Sequence, residues 1–355
     1  MGILPTSGDR ASSPVRRQQH GGVAPQTPVA YTKVSRLEAR TPDASWKYAP
    51  IADHPALMKI AFSPVYRYTL PPKHRFPMDK YTLLPEQLLY EGTITEEAFF
   101  APQPLPEEAI LRTHTEDYWH KLKTNTLSKK EIRAIGFPMR PELIARGRVI
   151  AQGTLDCARY AFEEGVALNI AGGTHHSFAD RGEGFCVYND IAIAANELLH
   201  SGEIHKAIVV DLDVHQGNGT ASIFEHESRV FTLSFHGARN YPTRKMKSDL
   251  DVGFPDGTED EVYLKKLYEV LPDLLDEVRP DIVFYLSGVD ILATDKLGRL
   301  ACTIQGCKQR DRFVFEECKK RGLPVAVSMG GGYSERLATI IEAHANTYRM
   351  AREVY

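Results

Sequence analysis

Cysteine is scarce in this chain, and what there is does not pair. Five residues (Cys157, Cys186, Cys302, Cys307 and Cys318) among 355 give an odd count with no C-x-x-C spacing. That argues against a disulfide framework and against a cysteine-built zinc site. Reduced thiols acting as small hydrophobes in a cytosol-like compartment are the expectation. Also missing is any apolar run near the ~18 to 20 residues a membrane helix needs, so a soluble chain without a membrane partner is expected. Charge of one sign is lacking too: 43 Lys+Arg stand against 46 Asp+Glu, a formal net charge of −3. This removes the electrostatic ground for direct nucleic-acid binding, which carries a basic excess. What remains, 43% hydrophobic and 25% charged, is globular rather than disordered or collagenous. Nothing in the composition signals an oligomeric state.

Composition shifts once along the chain. Residues 1–57 are rich in Pro, Ser, Thr, Gly and Arg, as in SSPVRRQQHGGVAPQTP (Ser12 to Pro28). Such a segment buries too little apolar surface to offset its ordering entropy, and a disordered extension is expected. Its arginines (Arg10, Arg16, Arg17, Arg36, Arg40) faintly resemble an organelle transit peptide; without that, the default compartment is the cytoplasm.

From residue 58 to 355 the pattern predicts one α/β domain. Branched apolar runs at Lys59–Ser63, Val166–Ile170, Ala207–Asp211, Val230–Phe235, Ile282–Leu286 and Pro324–Ser328 read as strands buried on both faces. Helical stretches alternate with them, including Pro141–Phe162, Asn189–His200, Glu259–Val278 and Gln305–Arg321, with Thr258-x-x-Glu261 as a capping box for the third. Alternation of this kind implies right-handed crossovers and a doubly wound, mostly parallel sheet with helices on both faces.

Ligands in such sheets bind beyond the carboxyl ends of the strands, and four predicted strands end in unusual polar sequence. These ends are Gly172-Gly173-Thr174-His175-His176, Asp211-Leu212-Asp213-Val214-His215, Ser287-Gly288-Val289-Asp290 and Gly330-Gly331-Gly332-Tyr333. Four loops on one rim can converge on one pocket. Asp213 and His215, alternate residues at a strand end, can share a metal ion, with Asp290 the natural third ligand. One imidazole and two carboxylates suit Zn²⁺ with a fourth position open. By itself, D-x-H is a weak signal and reads more readily as a structural hydrogen bond. Two carboxylates cancel the 2+ charge, so a separate base is called for. The tandem His175-His176, presented by a glycine turn, can supply it. Asp211 and Asn218 can each hydrogen-bond one histidine. Scattered histidines (His54, His74, His120, His200, His205, His226) read as ordinary surface or core groups. Tyr333, behind three glycines, can donate to a developing oxyanion, though a glycine turn followed by a packed Tyr reads equally well; no G-x-x-x-x-G-K-[ST] phosphate loop is present.

Residues 58 to 350 resemble the zinc-dependent histone deacetylase superfamily, which includes acetoin-utilisation proteins and acetylpolyamine amidohydrolases. The resemblance rests on GGTHHSFADRGEGFCVYNDIAIA (Gly172 to Ala194), VVDLDVHQGNGT (Val209 to Thr220), SGVDILATDKLGRL (Ser287 to Leu300) and SMGGGY (Ser328 to Tyr333). FSPVYRY (Phe62 to Tyr68) with HQGNG looks most like the class IV branch and its bacterial relatives. The resemblance implies an arginase-like fold, one zinc ion, and hydrolysis of an acetyl- or longer acyl-lysine, or of an acylated small amine such as an acetylpolyamine. It maps Asp213, His215 and Asp290 onto the zinc ligands, His175 and His176 onto the catalytic pair, and Tyr333 onto the carbonyl-polarising tyrosine. Gly184, Phe185, Tyr241 and Gly331 fall on the substrate site. Asp211, Ser234 and Phe235 fall where the family holds a structural monovalent cation, potassium.

Two departures stand out. Asn218 replaces the acid that class I members pair with the second histidine, and no acidic substrate clamp appears between Leu122 and Phe137. Two other classes compete. A magnesium-dependent phosphatase would use the Asp211-x-Asp213 strand end but leaves the histidines and Gly-Gly-Gly-Tyr without work. A catalytically silent acyl-lysine binding module would have lost one of the positions that are all present here.

Overall fold

The computed structural model describes residues 58–355 together with a short strand at Ala30–Lys33. The disorder and targeting expected of residues 1–57, and His54 with them, otherwise lie outside the described residues. Ala30–Lys33 departs from that expectation: it forms β1, an edge strand paired antiparallel with Leu250–Phe254.

The other strands are β2 (Lys59–Ala61), β3 (Phe99–Phe100), β4 (Val166–Asn169), β5 (Ala207–Asp211), β6 (Val230–Gly237), β7 (Leu250–Phe254), β8 (Ile282–Leu286) and β9 (Val325–Ser328). They form one sheet in the order β1-β7-β6-β5-β8-β9-β4-β2-β3, with every pairing parallel except β1–β7. Every residue of β4, β5, β6, β8 and β9 is buried. Their near-continuous Val, Ile and Leu therefore answer to helices covering both faces. One long helix, Pro141–Glu164, packs against β2, β4 and β9, and Asp190–Ser201 packs beside it. A second group runs from Asp260–Val278 through Ile304–Lys320 and Leu337–Val354 to Lys80–Tyr90. One large cluster from Met58 to Ala351 makes up nearly all of the core, beside a small one of Ala61, Cys157 and Ala167. All five cysteines are free and buried, and among the described residues no helix is long and apolar enough to cross a membrane.

One local expectation fails. Thr258 does not cap the helix at Asp260; Glu259 holds the N-cap without a side-chain bond, and the Thr258 hydroxyl donates to Pro255 O instead. The turn at Pro255 takes the hydroxyl first. A genuine capping box occurs at Ser128 and Glu131.

His114 ties this frame to the loop below the site. One ring nitrogen, Nδ1, donates to Phe178 O at 3.0 Å, and the other, Nε2, accepts from the Asn189 N–H at 3.1 Å. Burial pushes its pKa down to about 4. The unfolded chain therefore takes the proton first, and stability present above pH 6.5 is lost as the pH falls toward 4. Between pH 7 and 5 this one group contributes about 2 kcal/mol of acid sensitivity. We expect His114→Gln, which keeps a donor and an acceptor but no titration, to flatten the pH dependence of the urea midpoint. An unchanged slope between pH 7 and 5 would refute this.

Candidate active site and metal centre

The parallel order places the carboxyl ends of β4, β5, β8 and β9 side by side, and the four polar loops meet there as expected. Gly172 and Gly173 turn with φ of +87° and +65°, which only glycine adopts without strain. The turn is knotted around Asp190, whose carboxylate accepts from Gly173 N (3.1 Å), Thr174 N (2.8 Å), Thr154 Oγ1 (2.6 Å) and Ser328 Oγ (3.0 Å). A side chain at Gly172 would collide with that carboxylate. The knot is what presents adjacent histidines on one side, their rings 4.1 Å apart.

Each histidine has its own partner. His175 Nδ1 lies 2.7 Å from Asp211 Oδ2, and His176 Nδ1 lies 2.6 Å from Asn218 Oδ1. Burial pulls both imidazoles down. For His175 the Asp211 and Asp213 carboxylates outweigh it and hold the pKa at about 9. For His176 the neighbouring His175 and His215 add to burial, and the ring is held well below its ordinary value. Carboxylates beside His175, and burial with two neighbouring imidazoles around His176, thus drive two adjacent rings apart in basicity, while the Asn218 hydrogen bond works against the second shift without reversing it. Asp211 is engaged by His175 through one oxygen and by Asp213 N through the other, and it does not line the cavity, so it is not placed as a phosphatase nucleophile.

Asp213, His215 and Asp290 are buried and bring one ligand atom each within 4.8 Å of one another. His215 Nδ1 faces both carboxylates, 3.0 Å from Asp213 Oδ1 and 3.1 Å from Asp290 Oδ2. Burial lowers the ring's pKa, but the two carboxylates override it and hold it up at about 10; burial and Asp213 together push Asp290 up to about 7. The point between the three therefore attracts positive charge, and among the described residues no Lys or Arg pairs with either acid there. One imidazole with two carboxylates fits a divalent metal ion of mixed N/O preference. Backbone N–H groups orient the ligands: Gly331 N donates to Asp213 Oδ2 (2.7 Å) and Val214 N to Asp290 Oδ1 (3.0 Å). Any Cβ at Gly331 would run into the Asp290 carboxylate. Gly331 thus lines the cavity, and it also fixes the ligand set.

These groups share a cavity of about 290 Å³ with Tyr333, Gly184, Phe185 and Tyr241. Phe185, at φ +68°, packs its ring 6.1 Å from Tyr333 and 5.3 Å from Phe76. Tyr241 stands edge-on to His176 at 4.9 Å and donates its hydroxyl to Glu183 at 2.8 Å. Burial, with the Asp290 and Asp213 charges, holds the Tyr333 phenol well above 10, so it remains a hydrogen-bond donor at neutral pH. The three residues of the expected cation site are placed by register. Asp211 faces Ser234 across β5–β6, with Phe235 next. The Asp211 carboxylate is already taken by His175 and by Asp213 N, and Ser234 Oγ by His236.

Sequence reading missed the supports. Lys80, buried in the cavity wall, donates to Gly330 O at 3.1 Å. Arg310 is fully buried, with Nη1 on Gly288 O (2.5 Å) and Leu212 O (3.2 Å), inside the two loops that carry Asp213 and Asp290. Nε and Nη2 both stand 2.8 Å from Asp311.

A family profile described as "Histone deacetylase domain" matches residues 74–348. The chain belongs to the histone deacetylase family. Membership makes it a hydrolase of the deacetylase class. Histone deacetylase 2 of Arabidopsis thaliana is 30% identical over 277 residues, 76% of this chain and 72% of that one. An uncharacterised protein of Picosynechococcus sp. is 43% identical over 297 residues, 83% of this chain and 99% of that one. An HDAC homologue from Aquifex aeolicus superposes with a TM-score of 0.71 at 23% identity, over 83% of this chain and 84% of that one. An HDAC homologue complexed with SAHA gives 0.70 at 24% identity, over 84% and 83%. These two likenesses establish the fold, and the arginase-like parallel sheet agrees with it.

Proposed function

We propose that this deacetylase-family chain is a zinc-dependent amidohydrolase that removes an acetyl or longer acyl group from lysine side chains. The observation that carries the reading is the convergence, in one cavity, of the Asp213–His215–Asp290 set, two separately partnered histidines and a protonated phenol. Zinc held by those three ligands would polarise the acyl carbonyl and make water more acidic.

The chain's own groups do the rest. Asn218 Oδ1 accepts from His176 Nδ1–H, which leaves Nε2 as the lone pair that takes the proton of the attacking water. Tyr333 donates its hydroxyl to the oxygen on which charge develops. Water oxygen bonds to the acyl carbon, the amide C–N bond breaks, and the histidine pair returns a proton to the departing amine. Asp211 orients His175 within that pair.

The test is a panel of fluorogenic acyl-lysine peptides, from acetyl to long-chain, together with acylated polyamines, on zinc-loaded protein. We expect hydrolysis of at least one acyl-lysine and tight binding of a zinc-chelating hydroxamate. Turnover confined to the polyamines would move the substrate to a small amine. No turnover at all, with no hydroxamate bound, would overturn the reading.

A further inference from the structure

The catalytic cavity does not end at its aromatic wall. Arg75, Phe76 and Tyr333 line both it and a second cavity of about 650 Å³ that continues outward over the loop from Arg67 to Asp79. That outer cleft carries four cations, Arg67, Lys73, Arg75 and Lys296, against two carboxylates, Asp79 and Glu335. Arg67 is spent on Asp79 at 2.9 Å. Lys73, Arg75 and Lys296 are exposed, and among the described residues none has a carboxylate partner.

The loop that presents them is built. His74 bonds Gly136 O through Nε2 at 3.0 Å and accepts from Phe76 N through Nδ1 at 3.2 Å. Arg75 lies over the Phe185 ring, 5.0 Å from its centre, at the lip of the catalytic cavity. The facing lip offers no free acid: Glu183 and Asp180 are both held by Arg181 at 2.9 Å. The chain as a whole is net negative at −3, so this positive field is a local concentration at the mouth of the site.

We propose that this cleft selects acyl-lysine peptides with acidic residues beside the acylated lysine, and disfavours basic, histone-like flanks. The proposal rests on the amidohydrolase reading above. Three cations without a carboxylate partner, set against the one remaining carboxylate of Glu335, leave the cleft net positive, which attracts Asp or Glu side chains and repels Lys or Arg. Such an interaction between exposed charges is screened by salt, over a Debye length of ~10 Å at 0.1 M.

Three acetyl-lysine peptides that differ only in their flanks (Glu/Asp, Ser/Gly, Lys/Arg) decide the matter on the zinc-loaded protein. We expect kcat/KM for the acidic peptide to exceed that for the basic one by about tenfold in low salt, narrowing in 0.5 M NaCl. The double variant Lys73→Glu, Lys296→Glu is expected to abolish the preference, read as the ratio of kcat/KM for the acidic to the basic peptide, with the Ser/Gly peptide as the reference for any general loss. Fluorescence anisotropy of the same peptides should rank them in the same order. Equal or basic-favouring rates, or an acidic preference that survives the double variant, would overturn the proposal. If no peptide is hydrolysed, the amidohydrolase reading falls, and the anisotropy ranking still upholds or removes the acidic preference.

Discussion

Replacing Tyr333 by Phe is expected to lower kcat by about 10²- to 10³-fold while zinc content and hydroxamate binding stay at wild-type levels. The reason lies in how little the substitution disturbs. The ring is held by Phe76 at 6.0 Å and Phe185 at 6.1 Å, and the backbone by a 2.6 Å bond from Tyr333 N to Asp295 Oδ2. None of these contacts uses the hydroxyl. Burial and the Asp290 and Asp213 charges keep that hydroxyl protonated, so what is deleted is one donor aimed at developing negative charge. KM should change little, because the donor acts most strongly once the carbonyl oxygen has become an oxyanion. Steady-state kinetics beside metal analysis separates the two effects. A variant within about threefold of wild type in kcat would remove the phenol from the mechanism.

Arg310→Met is expected to cost about 3 to 5 kcal/mol of stability, measured as a shift in urea unfolding. The guanidinium is fully buried against Asp311, which also accepts from Tyr285 Oη and from Thr347 Oγ1 at 2.7 Å. Removing the cation strands a carboxylate in the core and leaves two backbone carbonyls, Leu212 O and Gly288 O, without their donor. Those carbonyls belong to the strand ends that lead into Asp213 and Asp290, so zinc affinity should fall as well. A second change, Asp311→Leu, in the Arg310→Met background should restore part of the stability, because the orphaned charge is then gone. A single variant within about 1 kcal/mol of wild type would show that the ion pair supports nothing.

The parts of this fold that were legible are those where local pattern and burial agree. β4, β5, β8 and β9 are short branched runs buried on both faces, and the polar residues ending each run stood out against them. β7 (Leu250–Phe254) escaped because Asp251 and Gly253 interrupt its apolar pattern. Asp251 is instead bonded by Gln216 Nε2 and Ser248 N. The supports of the site escaped for a related reason: a charged residue reads as surface until packing says otherwise. A signal was nonetheless present. On helix Ile304–Lys320 the buried stripe is Cys307, Arg310, Asp311, Val314, Phe315 and Cys318, so an Arg-Asp pair sits on an apolar face at helical spacing. Asp190 gave less away, since an acid in the first turn of a helix is commonplace. Its second duty, closing the histidine turn, shows only in the tertiary structure, where Gly173 N, Thr174 N, Thr154 and Ser328 converge on its carboxylate.

Strand order has a consequence for the continuity of the sheet. β8 and β4 are not neighbours; β9, the last strand of the chain, lies between them and pairs with both. The ligands Asp213 and Asp290 follow β5 and β8, whereas His175 and His176 follow β4. Residues 325–328 are thus the span of sheet that joins the half carrying Asp213 and Asp290 to the half carrying the histidine pair, and the sheet under the site is continuous only once that last strand is in place.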